Sequence, residues 1–136
     1  MTIVDQLKRD ERVCAKPYRD TVGKLTIGVG RNLDDVGLSP DEIELLLRND
    51  IERSRRDLFT HLPWVVGLDD ARRGVLLNMC FNMGVHGLCE FRHMLTAVQA
   101  GDYETAAKEM AASLWAKQTG ARADRLEIQM RTGQWQ

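Results

Sequence analysis

Apolar residues at the start of the chain recur at the spacing of a helix. Ile3 and Leu7 define one apolar face, and Thr2 followed by Asp5 resembles a capping box with Asp in the usual Glu position. Glu11 lies four residues past Leu7, on the same face, at the end of this predicted helix. A carboxylic acid facing the core is partly desolvated, which favours the protonated form that a general acid needs. Its position equally permits a glutamate that faces water or pairs with an arginine.

The hydrophobic period changes to two between Val13 and Gly30, which predicts a small β-hairpin. Gly23 can adopt the positive φ that the turn requires. Asp20 falls at this turn and Thr26 in the returning strand. Asp20 is therefore as well explained by a turn whose backbone its side chain binds, and Thr26 by β propensity alone.

A second clear helix start follows the hairpin. Ser39 is the expected N-cap, Pro40 occupies the first helical position and Glu42 the third. Apolar residues keep helical spacing from there to about Phe59, and a helix of that length spans nearly ~30 Å. We therefore expect a long helix that connects two lobes.

Helical patterns fill the rest of the chain. The segment before Gly84 is apolar nearly all round, which is typical of the central helix of a bundle. Asn78 and Asn82 interrupt it; we expect a structural role for Asn78, whereas Asn82 at the helix end can face a cleft. The predicted segments are a helix from Asp69 or Asp70 to Gly84, a short piece at 85–89, and helices near 91–98, 103–114 and 121–130.

Composition narrows the class of protein. The 136 residues suit one domain, and 19 Lys and Arg against 20 Asp and Glu create no global field for nucleic acid or anionic lipid. Charge is segregated locally, at net +4 over residues 8–31 and net −6 over residues 34–52. These segments are either two solvated faces or a cationic cleft wall for an anionic polymer.

Cysteine and histidine usage gives no sign of a disulfide framework or a metal centre. The three cysteines lack CxxC spacing, which favours synthesis in a reducing cytoplasm. His86, Cys89 and His93 would share one face of a continuous helix, but Gly87 disfavours that helix and no fourth ligand is evident. The charged start and the lack of a long apolar run predict neither a signal peptide nor a membrane span.

Several short motifs occur in an order that resembles the phage-type lysozymes, the muramidases that tailed phages use to open the host wall. The resemblance covers nearly the whole chain. Its motifs are Glu11 at the end of the first helix, Y-R-D-T at 18–21, T-I-G-V-G at 26–30, D-A-R-R-G-V-L-L-N-M at 70–79, F-N-M-G at 81–84 and R-T-G-Q-W at 131–135.

The resemblance implies a role for each matching residue. Glu11 corresponds to the general acid, Asp20 to the carboxylate on the other side of the scissile bond, and Thr26 to the residue that helps hold the hydrolytic water. Arg122 matches the arginine that pairs with the catalytic glutamate. Phe81 and Asn82 match cleft positions that face the sugar.

The chain departs from the family pattern in two places. Arg31 stands where the family often has His, and Asp50 stands where that His finds its carboxylate partner. We therefore predict an ion pair between Arg31 and Asp50 that ties the hairpin to the long helix. The segment between the hairpin and Ser39 is also shorter than in longer relatives, so fewer sugar contacts are expected from the small lobe.

The resemblance implies an α+β, mostly helical, lysozyme-like domain over residues 1–136. It comprises a small hairpin lobe at about 13–38, a connecting helix at about 39–59, and a helical lobe at about 60–136 that includes helix 3–11, with the cleft between the lobes. The implied activity is hydrolysis of the bond between N-acetylmuramic acid and N-acetylglucosamine in peptidoglycan by inversion, without metal or organic cofactor.

The expected setting of this activity also follows from the resemblance. We expect a monomer without nucleic-acid partners or stable membrane insertion, which accumulates in the host cytoplasm and reaches the wall through a membrane lesion. A lytic transglycosylase is the alternative with the same substrate, although it needs no water-holding Asp20 and Thr26. A non-catalytic wall-binding or virion protein on the same fold is the alternative from another class.

Overall fold

The computed structural model describes all 136 residues and contains helices together with one three-stranded antiparallel sheet. This confirms the predicted α+β, mostly helical class. None of the helices combines the length and apolar character that a membrane crossing requires. In chain order the elements are α1 Ile3–Glu11, β1 Cys14–Arg19, β2 Leu25–Gly28, β3 Arg31–Asn32, α2 Pro40–His61, a 3₁₀ helix Pro63–Gly67, α3 Asp70–Cys89, α4 Arg92–Gln99, α5 Tyr103–Ala111, α6 Leu114–Thr119 and α7 Ala121–Thr132.

Contacts divide the chain into two compact units, Met1–Leu46 and Leu47–Gln136. The division falls inside α2 and places α1 in the first unit. The lobe boundaries predicted from the sequence, and the cleft between the lobes, stay predictions.

Helix α1 begins and ends where the sequence predicts. The Thr2 hydroxyl accepts a hydrogen bond from the Asp5 backbone at 3.2 Å, and the Asp5 carboxylate accepts one from the Thr2 backbone at 2.8 Å. This reciprocal capping box satisfies N–H groups that have no partner within the helix. The helix then ends at Glu11.

The predicted hairpin is present, but it is part of a three-stranded sheet. Strand β2 lies in the middle, with Thr26 opposite Tyr18 on one side and opposite Asn32 on the other. The prediction missed β3, because a strand of two residues is too short to show a hydrophobic period. Thr26 therefore occupies the central strand of the sheet.

Helix α2 begins at the predicted cap. The Ser39 hydroxyl accepts a hydrogen bond from the Glu42 backbone at 3.2 Å, and Glu42 Oε1 accepts one from the Ser39 backbone at 2.9 Å. The helix continues for 22 residues to His61. The predicted capping box and long helix are confirmed.

Helix α3 supplies the centre of the second unit. Its Val75, Leu76 and Met79 are fully buried, as expected for a helix that is apolar nearly all round. Gly84 has φ 82° and ψ 161°, so the helix is interrupted at the residue where the sequence predicts its end. The remaining members of the core include Leu58, Leu88, Met94, Val98, Met110 and Met130.

The predicted helix 103–114 ends earlier than expected. Helix α5 stops at Ala111, and a separate helix α6 begins after Ser113, whose hydroxyl accepts a hydrogen bond from the Ala116 backbone at 3.1 Å. Ser113 is a good N-cap residue, so the sequence contained a signal for this break. The new helix contains Trp115, which is half-buried and packs against the core.

Arg72 connects α3 to the end of α7. Its guanidinium donates to the carbonyl oxygens of Met130 at 2.7 Å and Arg131 at 3.0 Å, and its Cζ lies 3.6 Å from the centre of the Tyr103 ring. The last carbonyls of a helix have no partner within the helix, and a cation there is favourable to the helix dipole. The Arg72 side chain is only 16% exposed, so these hydrogen bonds are little weakened by solvent.

Replacing Arg72 should destabilise the second unit. We expect Arg72→Ala to lower the free energy of unfolding by about 2–4 kcal/mol, because charge-assisted hydrogen bonds and a cation–π contact are lost together. Urea unfolding followed by circular dichroism measures this change. Arg56→Ala, which removes an exposed arginine from α2, is the control and should change the stability by less than about 0.5 kcal/mol. Equal losses in the two variants would contradict the assigned role.

Candidate active site

Glu11 lies at the C-terminal end of α1 with its carboxylate close to the backbone of Gly30. A Cβ atom at Gly30 would lie 2.8 Å from Glu11 Oε2, and Gly30 has φ +68°. Glycine suits this position because it adopts positive φ freely and leaves room for the carboxylate. Glu11 itself is exposed and α1 has no buried residue, so the predicted partial burial of this carboxylate is not observed.

The residue after Glu11 has an unusual backbone conformation. Arg12 has φ 66° and ψ 165°, in a region that is populated almost only by glycine. A side chain held there costs about 1–3 kcal/mol and persists only where the surroundings impose it. Arg12 was not predicted from the sequence, since an arginine carries no signal for positive φ.

Asp20 forms the turn between β1 and β2. Its Oδ1 accepts hydrogen bonds from the backbone of Val22 at 3.0 Å and of Lys24 at 2.8 Å, and Gly23 has φ 85°. The turn-forming role considered for Asp20 is therefore present. It fixes the carboxylate through one oxygen and leaves Oδ2 without a hydrogen-bond partner in the protein, so the same residue is also able to orient a water.

Thr26 is buried, at 4% exposure, in the central strand. Its hydroxyl donates to the carbonyl oxygen of Lys24 at 2.9 Å. A hydroxyl whose proton is used in this way presents its lone pairs to other donors, such as water. The first unit thus places all three predicted catalytic residues around β2, with Asp20 before it, Thr26 in it and the Glu11 carboxylate beside Gly30 just after it.

Two of the predicted substrate-binding residues of the second unit, Arg122 and Asn82, form side-chain hydrogen bonds. Arg122 donates to Asn78 Oδ1 from Nε at 2.8 Å and from Nη2 at 2.6 Å. Asn82 Oδ1 accepts from Trp115 Nε1 at 2.9 Å, and Phe81 is 42% exposed. The structural role expected for Asn78 is therefore to orient Arg122. The pairing of Arg122 with Glu11 stays a prediction.

A cavity of about 340 Å³ lies beside Arg122 in the second unit. Phe81, Asn78 and Trp135 line it, together with aliphatic side chains. The Trp135 ring lies directly against Gly74, where any Cβ atom would overlap it. Trp135 belongs to the R-T-G-Q-W motif at 131–135, but its contact with Gly74 was not predicted from the sequence.

The model of the phage lysozyme family matches residues 8–131 of the chain. The chain belongs to the phage lysozyme family. This confirms the predicted family, its lysozyme-like α+β fold and its enzyme class, the glycoside hydrolases of the lysozyme type.

Individual relatives differ in how much of their length the chain covers. The pre-baseplate central spike protein Gp5 of Enterobacteria phage T4 is 32% identical over 161 aligned positions, which include 98% of this chain but only 28% of the spike protein. The probable T4-type lysozymes 1 and 2 of Dictyostelium discoideum are 29% and 28% identical, each over 97% of this chain and 95% of the relative. The chain thus spans about a quarter of the spike protein and nearly all of the other two.

Arg31, where the chain departs from the family pattern, has a partner within the first unit. It donates from Nη1 to Glu42 Oε1 at 2.6 Å and to the Gly37 carbonyl oxygen at 3.1 Å. Within the second unit Asp50 pairs with Arg53. The ion pair with Glu42 ties β3 to the first turn of α2, and the predicted pairing of Arg31 with Asp50 stays a prediction.

The ion pair with Arg31 makes Glu42 unusually acidic. The guanidinium hydrogen bond, followed by those from the Ser39 backbone and hydroxyl, lowers the pKa of Glu42 from 4.5 to about 2. A carboxyl whose pKa is depressed in the folded state adds stability above its unfolded pKa. This contribution is lost as the pH falls through about 2.

The stability cost of Glu42→Gln should therefore depend on pH. We expect the variant to be less stable than the unmodified protein at pH 7, with a difference that shrinks below pH ~4.5 and vanishes near pH ~2. Urea unfolding at a series of pH values measures this difference. Glu44→Gln, at an exposed position on the same helix, should show no such trend. A cost that stays constant from pH 7 to pH 2 would count against the ion pair.

Proposed function

We propose that this chain is a muramidase that cleaves the β-1,4 bond between N-acetylmuramic acid and N-acetylglucosamine in peptidoglycan. The observation that supports this most directly is the arrangement around β2, where the first unit holds two carboxylates and a hydroxyl of the types that the family uses. Glu11 lies against Gly30, Asp20 is fixed by two backbone N–H groups, and Thr26 is buried with its hydroxyl oriented by Lys24.

The proposed reaction assigns a separate step to each residue. Glu11 protonates the glycosidic oxygen, so that the leaving sugar departs as an alcohol while positive charge develops on the other ring. Asp20 accepts a proton from a water that Thr26 helps to hold, and this water attacks the anomeric carbon from the opposite face. The product then has inverted configuration. No step requires a metal or an organic cofactor.

Two features favour hydrolysis over a lytic transglycosylase reaction. A transglycosylase forms an anhydro-sugar by internal attack and therefore needs an acid/base glutamate but no residues that hold water. In this chain Asp20 keeps one carboxylate oxygen without a protein partner and Thr26 keeps its lone pairs available, as a water site requires.

Two biological roles are compatible with this reaction. One is the setting implied by the family resemblance, a monomeric lysis enzyme that accumulates in the host cytoplasm, and the similarity to the T4-type lysozymes is compatible with it. The similarity to the central spike protein supports instead a wall-degrading domain of the virion. Immunodetection distinguishes them, since a virion component is found in purified particles and a lysis enzyme only in the free fraction of the lysate.

Glu11→Gln should abolish most of the lytic activity. Removal of a general acid lowers the rate by about 10² to 10⁴, and the turbidity loss of purified bacterial walls measures it. The exposed position of Glu11 predicts an unchanged unfolding midpoint. Asp10→Asn, at the neighbouring exposed carboxylate that pairs with Arg9, is the matched control and should retain activity. Equal activity of Glu11→Gln and the unmodified protein would exclude the mechanism, and wall binding without lysis by the unmodified protein would favour a non-catalytic role.

The configuration of the new sugar ends should identify the reaction. Inversion at a β-1,4 bond yields α-anomers first, which NMR detects in the early minutes of digestion before mutarotation. New ends that appear first as β-anomers would contradict the role proposed for Asp20. New 1,6-anhydro ends would favour a transglycosylase.

A further inference from the structure

Arg12 is the one residue other than glycine that has a positive φ in this chain. Its φ of 66° and ψ of 165° place an L side chain where glycine is strongly favoured. Every other position with positive φ is occupied by glycine, namely Gly23, Gly28, Gly30, Gly37, Gly84, Gly101, Gly120 and Gly133. Arg12 is thus an exception to the rule that the positive-φ positions of this chain are glycines.

Arg12 lies in a very short connection. Helix α1 ends at Glu11 and strand β1 begins at Cys14, which pairs with Gly28 in the sheet. The chain therefore turns from α1 into β1 within two residues, and the positive φ of Arg12 is part of this turn.

The Arg12 side chain does not offset this strain through contacts within the first unit. The ion pairs there join Arg9 to Asp10, Lys24 to Asp35 and Arg31 to Glu42. Arg12 is exposed and its guanidinium has no hydrogen-bond or ion-pair partner. The backbone strain at Arg12 is therefore not offset by contacts of its side chain, and the exposed guanidinium one residue from the proposed general acid is free to bind a ligand.

We propose that Arg12 binds a carboxylate on the peptide stem of peptidoglycan and so determines the preference of this enzyme for anionic wall polymers. The inference rests on the proposed function, because the stem is attached to the muramic acid ring whose glycosidic bond Glu11 would protonate. An exposed arginine next to Glu11 in the chain has a side chain long enough to reach the substituent of that ring. The planar guanidinium matches a carboxylate with two parallel hydrogen bonds.

Arg12→Ala tests the side chain without relieving the backbone, because alanine keeps the Cβ. On native sacculi we expect the apparent KM to rise about three- to ten-fold with little change in kcat, as suits one exposed charge-assisted contact. Arg12→Lys should recover part of this loss. On sacculi whose carboxylates have been converted to amides with carbodiimide and ammonia, the unmodified protein and Arg12→Ala should have equal KM values. Arg9→Ala, at a cation of α1 that already pairs with Asp10, is the control and should leave KM unchanged.

Arg12→Gly separates strain from binding. It should raise the urea midpoint of unfolding, because glycine adopts this φ without strain, while its KM rises as in Arg12→Ala. An unchanged or lower midpoint would overturn the strain argument. If the unmodified protein is active and Arg12→Ala has the same KM on native sacculi, the proposed role of Arg12 is overturned. The proposed function is not affected by that result. An unmodified protein that does not lyse walls would instead overturn the proposed function.

Discussion

The short connection between α1 and β1 is the constraint that organises the first unit. Only Arg12 and Val13 separate α1, which ends at Glu11, from β1, which pairs with β2. The end of α1 is therefore next to the sheet, with the Glu11 carboxylate close to the backbone of Gly30 just after β2. The positive φ of Arg12 belongs to the same connection. The proposed acid thus lies near the strand that contains Thr26 while its carboxylate stays exposed to solvent.

In the second unit, hydrogen bonding orients the side chains that the family pattern assigns to the substrate. Two nitrogens of Arg122 share one oxygen of Asn78, and Asn82 is engaged by the Trp115 indole. These anchors are made within a unit whose core is built on α3. Asn78 and Asn82 are therefore fixed in position by the packing of the helix that carries them. These two polar residues interrupt an otherwise apolar helix because each forms a hydrogen bond with a side chain from another helix.

The sequence predicted those features that depend on local chemistry. The capping boxes at Thr2 and Ser39, the turn at Asp20 and the interruption of α3 at Gly84 each follow from residues within one or two turns of chain. Strand β3 and helix α6 were missed because each is too short to show a period, although Ser113 marked the start of α6. The ion pair of Arg31 with Glu42 was not predicted, because ion pairing depends on which helix turn lies next to the strand, and a loop's sequence does not give that.

The packing of Trp135 on Gly74 couples two positions that lie 61 residues apart in the sequence. A side chain at position 74 would displace the indole, and a smaller residue at position 135 would leave the glycine face uncovered beside Arg122. Because Trp135 is 66% exposed, a larger residue at position 74 is accommodated by moving the indole away from α3 rather than by shifting the core. The residues after α7 thus act as an adjustable cover over one face of the central helix.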